Sequence, residues 1–171
     1  MENEIRVRNG AALHDALLVT EESVYGTILV SGMIVVSRGY SSTSWQTFLS
    51  VIGTVLVFWI AHTYAGTVAG YHVVEGDQTP LRVALEHSLR DSLGFLVSAL
   101  LPSAVLLLGA LEAVPDDAAV WAAMWLGVVI LGVIGYRMFA LRQSTMRVRI
   151  LGSLGTAAFG VAMILLKALI H

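Results

Sequence analysis

The sequence predicts an all-α integral membrane protein: a single bundle of five transmembrane helices, N-terminus inside the cell and C-terminus outside. Three observations carry that expectation. Of 171 residues, 57% are apolar and only 13% are charged, against roughly 45–50% and about 25% in soluble domains. Mean hydropathy is +0.79. The 10 Lys and Arg and 12 Asp and Glu stand in short clusters between long uncharged runs, too few to cover the surface of a soluble domain of this length. The composition excludes a disordered chain, a nucleic-acid binder with a basic face and most soluble enzymes. With no cysteine, disulfides, thiolate metal sites and thiol nucleophiles are excluded as well. No signal peptide is expected, because the first 20 residues lack an apolar core and a cleavage site.

A transmembrane helix needs about 20 mostly apolar residues. Five segments qualify, at residues 17–37, 45–68, 92–111, 118–136 and 150–170. The first is the least apolar. Glu21 and Glu22 stand inside it, and the uncharged run 23–37 gives roughly 22 Å against a hydrocarbon core of roughly 30 Å. A preceding turn over 13–19 extends this helix into the interface, which puts both glutamates just inside the membrane edge. Between the second and third spans, Thr79-Pro80 reads as an N-cap followed by proline at the first helical position. It opens an interfacial helix over about 80–91 that ramps into the third span. Arg82, Glu86 and Arg90 are spaced four apart on it, as are His87 and Asp91, which reads as exposed helix pairs. Pro102 inside the third span predicts a kink. The loop 112–117 carries no basic residue and suits the outside. Orientation follows from Lys and Arg: Arg6, Arg8, Arg82, Arg90, Arg137, Arg142, Arg147 and Arg149 fall on one side, Arg38 and Lys167 on the other. The larger group marks the cytoplasm, and Lys167 can snorkel to the outer interface.

Polar and small residues inside spans require a reason. Ser23, Thr27 and Ser31 recur every four residues along the first span, with Glu22 and Gly26 beside them. One reading is close helix packing, each hydroxyl bonded back to its own helix; the other is a weakly polar wall of a pore. The second span carries Thr47, Ser50 and Thr54 on one face, then His62, Thr63 and Tyr64. Gly66 and Gly70 form a GxxxG pair, and Gly152, Thr156 and Gly160 form a similar seam in the fifth span. Such seams mark packing within a bundle or between protomers.

Glu22 and His62 are the most informative pair. Each lies five or six residues from the cytoplasmic end of its antiparallel helix, so both sit roughly 8–10 Å deep and contact is geometrically allowed. A carboxylate beside an imidazole can gate with pH, relay protons or form part of a cation site, and can equally be a structural hydrogen bond. His62, His72, His87, Glu22 and Glu86 show no recognised metal spacing. Phosphate-loop, HExxH and GxSxG signatures are absent from the sequence. No catalytic residue, metal or cofactor is expected.

The order of features resembles the transmembrane protein 175 family, the endolysosomal potassium channels and their shorter prokaryotic relatives. That family opens its first helix with Arg-x-x-x-Phe-Ser-Asp; here the stretch is Ala16-x-x-x-Thr20-Glu21-Glu22-Ser23-Val24-Tyr25-Gly26-Thr27. Its second helix carries Trp and a nearby His, matched by Phe58-Trp59-Ile60-Ala61-His62. Its third is led by Asn or Asp and carries a proline, matched by Asp91 and by Leu100-Leu101-Pro102. Ala16 replaces the arginine, Glu22 stands for the aspartate, and five spans stand where the family repeat has six. The resemblance implies a homo-tetramer with the first helix lining a cation pathway. Glu22, Trp59 and His62 would position that helix, and Ser23, Thr27, Val30, Ser31 and Ile34 would line or gate the pore.

The expected function of this multi-pass inner (plasma) membrane protein is an oligomeric channel for an inorganic cation, potassium or proton. The first alternative is a non-conducting scaffold or accessory subunit that holds a partner through the glycine seams. The last-ranked alternative, against the expectation of no enzyme, is an intramembrane metal-dependent enzyme on Glu22, His62 and His87. In each case the lipid bilayer is the constant partner.

Overall fold

The computed structural model describes residues 20–40, 43–71, 73–74, 77–78 and 80–170. Along them run the helices α1 (Glu21–Tyr40), α2 (Ser44–Gly70), α3 (Leu81–Asp91), α4 (Leu93–Ala110), α5 (Asp116–Leu141) and α6 (Met146–Ile170). Between α2 and α3 two short strands absent from the sequence expectation, β1 (Val73–Val74) and β2 (Asp77–Gln78), pair antiparallel with Val73 opposite Gln78. Four stretches are long and apolar enough to cross a membrane: Ser44–Gly70, Leu81–Ala110 (α3 with α4), Asp116–Leu141 and Met146–Leu169. They make the chain a multi-pass membrane protein.

The helices outlast the apolar runs that announced them. α5 starts at Asp116 and ends at Leu141 rather than spanning 118–136, and α6 starts at Met146 rather than 150. Bilayer thickness sets how many apolar residues are needed, whereas backbone hydrogen bonding continues through polar turns until a cap stops it. α1 begins at Glu21 rather than 17, because Thr20 caps it: Thr20 Oγ1 accepts from the Ser23 amide at 3.2 Å. Glu21 and Glu22 therefore fall in the first turn, where the positive end of the helix dipole favours carboxylates. The expected extension over 13–19 lies outside the described residues.

Pro80 stands at the N-cap of α3, with ψ 139°, rather than at the first helical position, and Thr79 lies outside the described residues. The Pro80 carbonyl accepts from the amides of Val83 and Ala84 at 2.9 and 3.1 Å. Glu86 pairs with Arg82 at 3.0 Å rather than with Arg90, and His87 Nδ1 meets Asp91 at 2.7 Å. Gly70 and Gly66 of α2 face Ala84 and Ser88 of α3. α3 thus packs antiparallel along the last turns of α2 before the chain enters α4 through Ser92. From His62 to its end at Gly70, α2 runs on for about 12 Å beside α3. α4 passes through the buried Pro102 as one helix.

α1 touches α2, α4, α5 and α6 and so forms the centre of the bundle. Val30 and Ile34 lie in the core with Val51, Val55, Leu106, Val120 and Met124. At the Ser44 end, the Ser44 amide donates to Asp116 Oδ1 at 3.1 Å. A Cβ on Gly109 there would lie 2.6 Å from the Ala119 Cβ, so three helix termini close on a point with no room for a side chain. α5 and α6 are joined by hydroxyls that reach carbonyls across the pair: Ser153 Oγ to Gly132 at 2.8 Å and Thr156 Oγ1 to Leu131 at 2.9 Å. Lys167 stands in the last turn of α6. It is buried, with Nζ 4.2 Å from the centre of the Trp121 ring, where the ring face attracts the cation.

These contacts separate the glycines. A Cβ on Gly135 would lie 2.7 Å from the Gly152 carbonyl, whereas Gly53 and Gly155 have open space. Gly135→Ala is expected to lower stability by about 1–3 kcal/mol through overpacking. Gly53→Ala and Gly155→Ala should hold or raise it by about 0.5–1 kcal/mol through helix propensity. Thermal unfolding in detergent micelles reads the difference.

Candidate functional site

The cap at Thr20 and the open face of α4 bring three elements together at one end of the bundle. Gly94 lacks a side chain where α1 begins: a Cβ there would lie 2.6 Å from Thr20 Oγ1 and 3.0 Å from the Glu22 Cβ. Gly26 does the same one turn on, against Phe95 and Ser98. This approach sets Glu22 beside α2, with Glu22 Oε1 3.8 Å from His62 Nε2. The His62 ring tilts against Phe95, 5.0 Å between centroids. At 3.8 Å the pair is an ion-pair contact and not a direct hydrogen bond. His62 is 44% exposed and Glu22 20% exposed, so the pair sits at the rim of the bundle, not in its core.

Trp59, one turn before His62 on α2, buries its indole Nε1 with no hydrogen-bond partner among the described residues. On the neighbouring face of α2, Thr63 Oγ1 and Ser92 Oγ are 2.7 Å apart, Ser92 Oγ bonds the Ser88 carbonyl, and Thr67 Oγ1 donates to the Thr63 carbonyl at 2.7 Å. These hydroxyls tie α2 to the α3–α4 junction.

The stripe on α1 has a different setting. Ser23, Thr27, Val30, Ser31 and Ile34 are all buried within the one chain. Thr27 Oγ1 donates to the Ser23 carbonyl at 2.7 Å and Ser31 Oγ to the Thr27 carbonyl at 2.9 Å, the back-bonding geometry of close packing. Ser23 Oγ and Thr20 Oγ1 are 3.1 Å apart. Ser31 sits against Gly127 of α5. The glycine seams are also internal to the chain: Gly66 faces Ser88, Gly152 faces Phe139 and Gly160 faces Val128. Among the described residues no three of His, Asp and Glu converge to hold a metal, and His72 lies outside them.

The meeting of Glu22 with His62, and Trp59 on the same helix as His62, follow from the sequence; the contacts of Gly94, Phe95 and the Thr63–Ser92 pair carry no such signal there. A glycine at the start of an apolar helix was the available signal for Gly94, but its partner was set by packing. Comparison with known protein families, curated proteins and solved structures returns no match, so geometry alone speaks for the site.

The 3.8 Å separation bounds the strength of the pair. A double-mutant cycle on Glu22→Ala and His62→Ala is expected to give a coupling of about 1 kcal/mol or less. Thr27→Val keeps the shape and removes only a back-bond to the Ser23 carbonyl, which keeps its helical donor, so it should shift stability by less than about 1 kcal/mol, whereas Thr27→Leu should cost about 1–3 kcal/mol by overpacking. Both are read from unfolding midpoints in micelles.

Proposed function

We propose that the chain is a five-span plasma-membrane subunit, N-terminus in the cytoplasm and C-terminus outside, that serves as a non-conducting scaffold or accessory component whose partner surface lies outside the glycine seams, since its own helices fill those. The observation that carries this reading is the burial of Ser23, Thr27 and Ser31 inside one chain, with the hydroxyls of Thr27 and Ser31 bonded back to α1 itself. A helix that lines an ion path in an oligomer turns its polar stripe toward the symmetry axis. This one turns it toward its own neighbours. With 20 residues, α1 spans about 30 Å, which supports counting it as a fifth crossing among its more apolar partners. The bias of eight basic residues against two supports the orientation.

One observation favours a second reading, a cation or proton pathway along α1 in a tetramer. The Glu22–His62 contact puts an acid beside an imidazole at an accessible rim, the pairing used by proton relays.

Two measurements separate the readings. Purified protein in liposomes should pass no potassium or proton current above empty vesicles; a flux that Glu22→Gln abolishes would establish the second reading. The chain has no native cysteine, so single cysteines report cleanly. Ser31→Cys should resist membrane-impermeant thiol reagents, and its modification would mean a water-filled path along α1. On intact cells, Val114→Cys should react and Arg142→Cys should not; the reverse pattern inverts the orientation.

A further inference from the structure

Between α2 and α3 lies a groove of about 310 Å³ lined by Trp59, Ile60, Thr63, Tyr64, Thr67 and Leu85. Two threonines stand in it, yet its walls are apolar. Thr63 spends its hydroxyl proton on Ser92 and Thr67 on the Thr63 carbonyl, so neither has a proton left to donate to a polar solute. The groove therefore suits a hydrocarbon chain. Its position suits one too. It begins at Trp59 and Ile60, near the level of His62 and the first turn of α1, and runs toward the α2–α3 extension. Trp and Tyr favour that depth, because their rings bridge apolar and polar layers, and Tyr64 is 71% exposed there.

Charge waits at the outer end. Arg82 precedes Leu85 by three residues on α3, which makes them neighbours on the helix surface. Its guanidinium is almost fully exposed and contacts Glu86 through Nε at 3.0 Å. The terminal nitrogens of a guanidinium are its natural fork for a phosphate.

We propose that this groove binds one phospholipid, with an acyl chain against Trp59, Ile60 and Leu85 and the headgroup phosphate on Arg82. The site depends on α2 lying in a bilayer and is independent of whether the chain conducts. Full-length protein in non-ionic detergent, titrated with dioleoylphosphatidylglycerol or dioleoylphosphatidylcholine and read by native mass spectrometry, tests it. Wild type should retain one lipid of either kind, since both carry the phosphate. Leu85→Trp, which fills the groove, and Arg82→Gln should each lower that occupancy about tenfold. Leu154→Trp, on the exposed face of α6, should not. Equal occupancy in all variants would mean annular lipid only and would overturn the site. A lipid-free dimer of wild type would overturn it in favour of a second copy covering this face. Arg82 is too exposed to matter for folding, so an Arg82→Gln variant that binds like wild type overturns the phosphate contact even where Leu85→Trp fails to fold.

Discussion

Hydrocarbon offers no water to a hydroxyl, so a polar side chain inside a membrane bundle must find its acceptor in protein. α1 meets that demand within itself. Ser31 reaches the Thr27 carbonyl, Thr27 reaches the Ser23 carbonyl, and Ser23 meets the capping Thr20. Because the stripe satisfies itself, it can be buried, and because it is small, other helices can close on it. Gly94 and Gly26 admit α1 to α4, and Gly127 admits Ser31 to α5. Leucines in place of the stripe would add apolar area but force these neighbours outward. Close approach of backbones, with its gain in dispersion, is the principal attraction available where lipid is as apolar as leucine.

The same solution recurs between other pairs in a modified form. In the α5–α6 pair the hydroxyls of Ser153 and Thr156 cross to carbonyls of the partner helix, which requires the close approach that Gly132 and Gly135 allow. In the α2–α3 pair, Thr63 and Ser92 bond side chain to side chain over the Gly66 and Gly70 contacts. Among the described residues two buried groups depart from the rule, Trp59 Nε1 and Ser103 Oγ. Ser103 follows Pro102, whose ring removes a backbone donor at that turn, so two breaks in regular hydrogen bonding fall next to each other in α4.

Apolar run length made four spans legible, because bilayer thickness acts on length and hydropathy, and both are written in sequence. Helix ends were less legible: Thr20 and Pro80 moved them by local capping geometry that apolarity does not encode. The Glu22–His62 contact could be anticipated, since two antiparallel helices of known depth bring equal depths together. The four-residue spacing of Ser23, Thr27 and Ser31 likewise identified one face. What that spacing could not say is which neighbour fills the face, because hydropathy reports how apolar a helix is and not where it stands in the bundle. The least apolar of the expected spans proved to touch α2, α4, α5 and α6. Lys167 over Trp121 and Asp116 at the start of α2 were hidden for the same reason, each being a contact between distant elements.

The bundle is finished differently at its two ends. At the Ser44 end, Asp116 holds the α2 terminus, Gly109 packs without a side chain, and Lys167 is buried against Trp121. At the Glu22 end, α1 stops at its cap while α2 and α3 continue, and the step between them leaves Glu22, His62, Tyr64 and the groove accessible. A terminus locked by packing serves stability. A stepped terminus that carries an acid, an imidazole and an apolar groove offers surfaces of different chemistry within a few turns of helix. Among the described residues, this is the end at which an acid, an imidazole and an apolar groove lie outside the helix packing that buries α1.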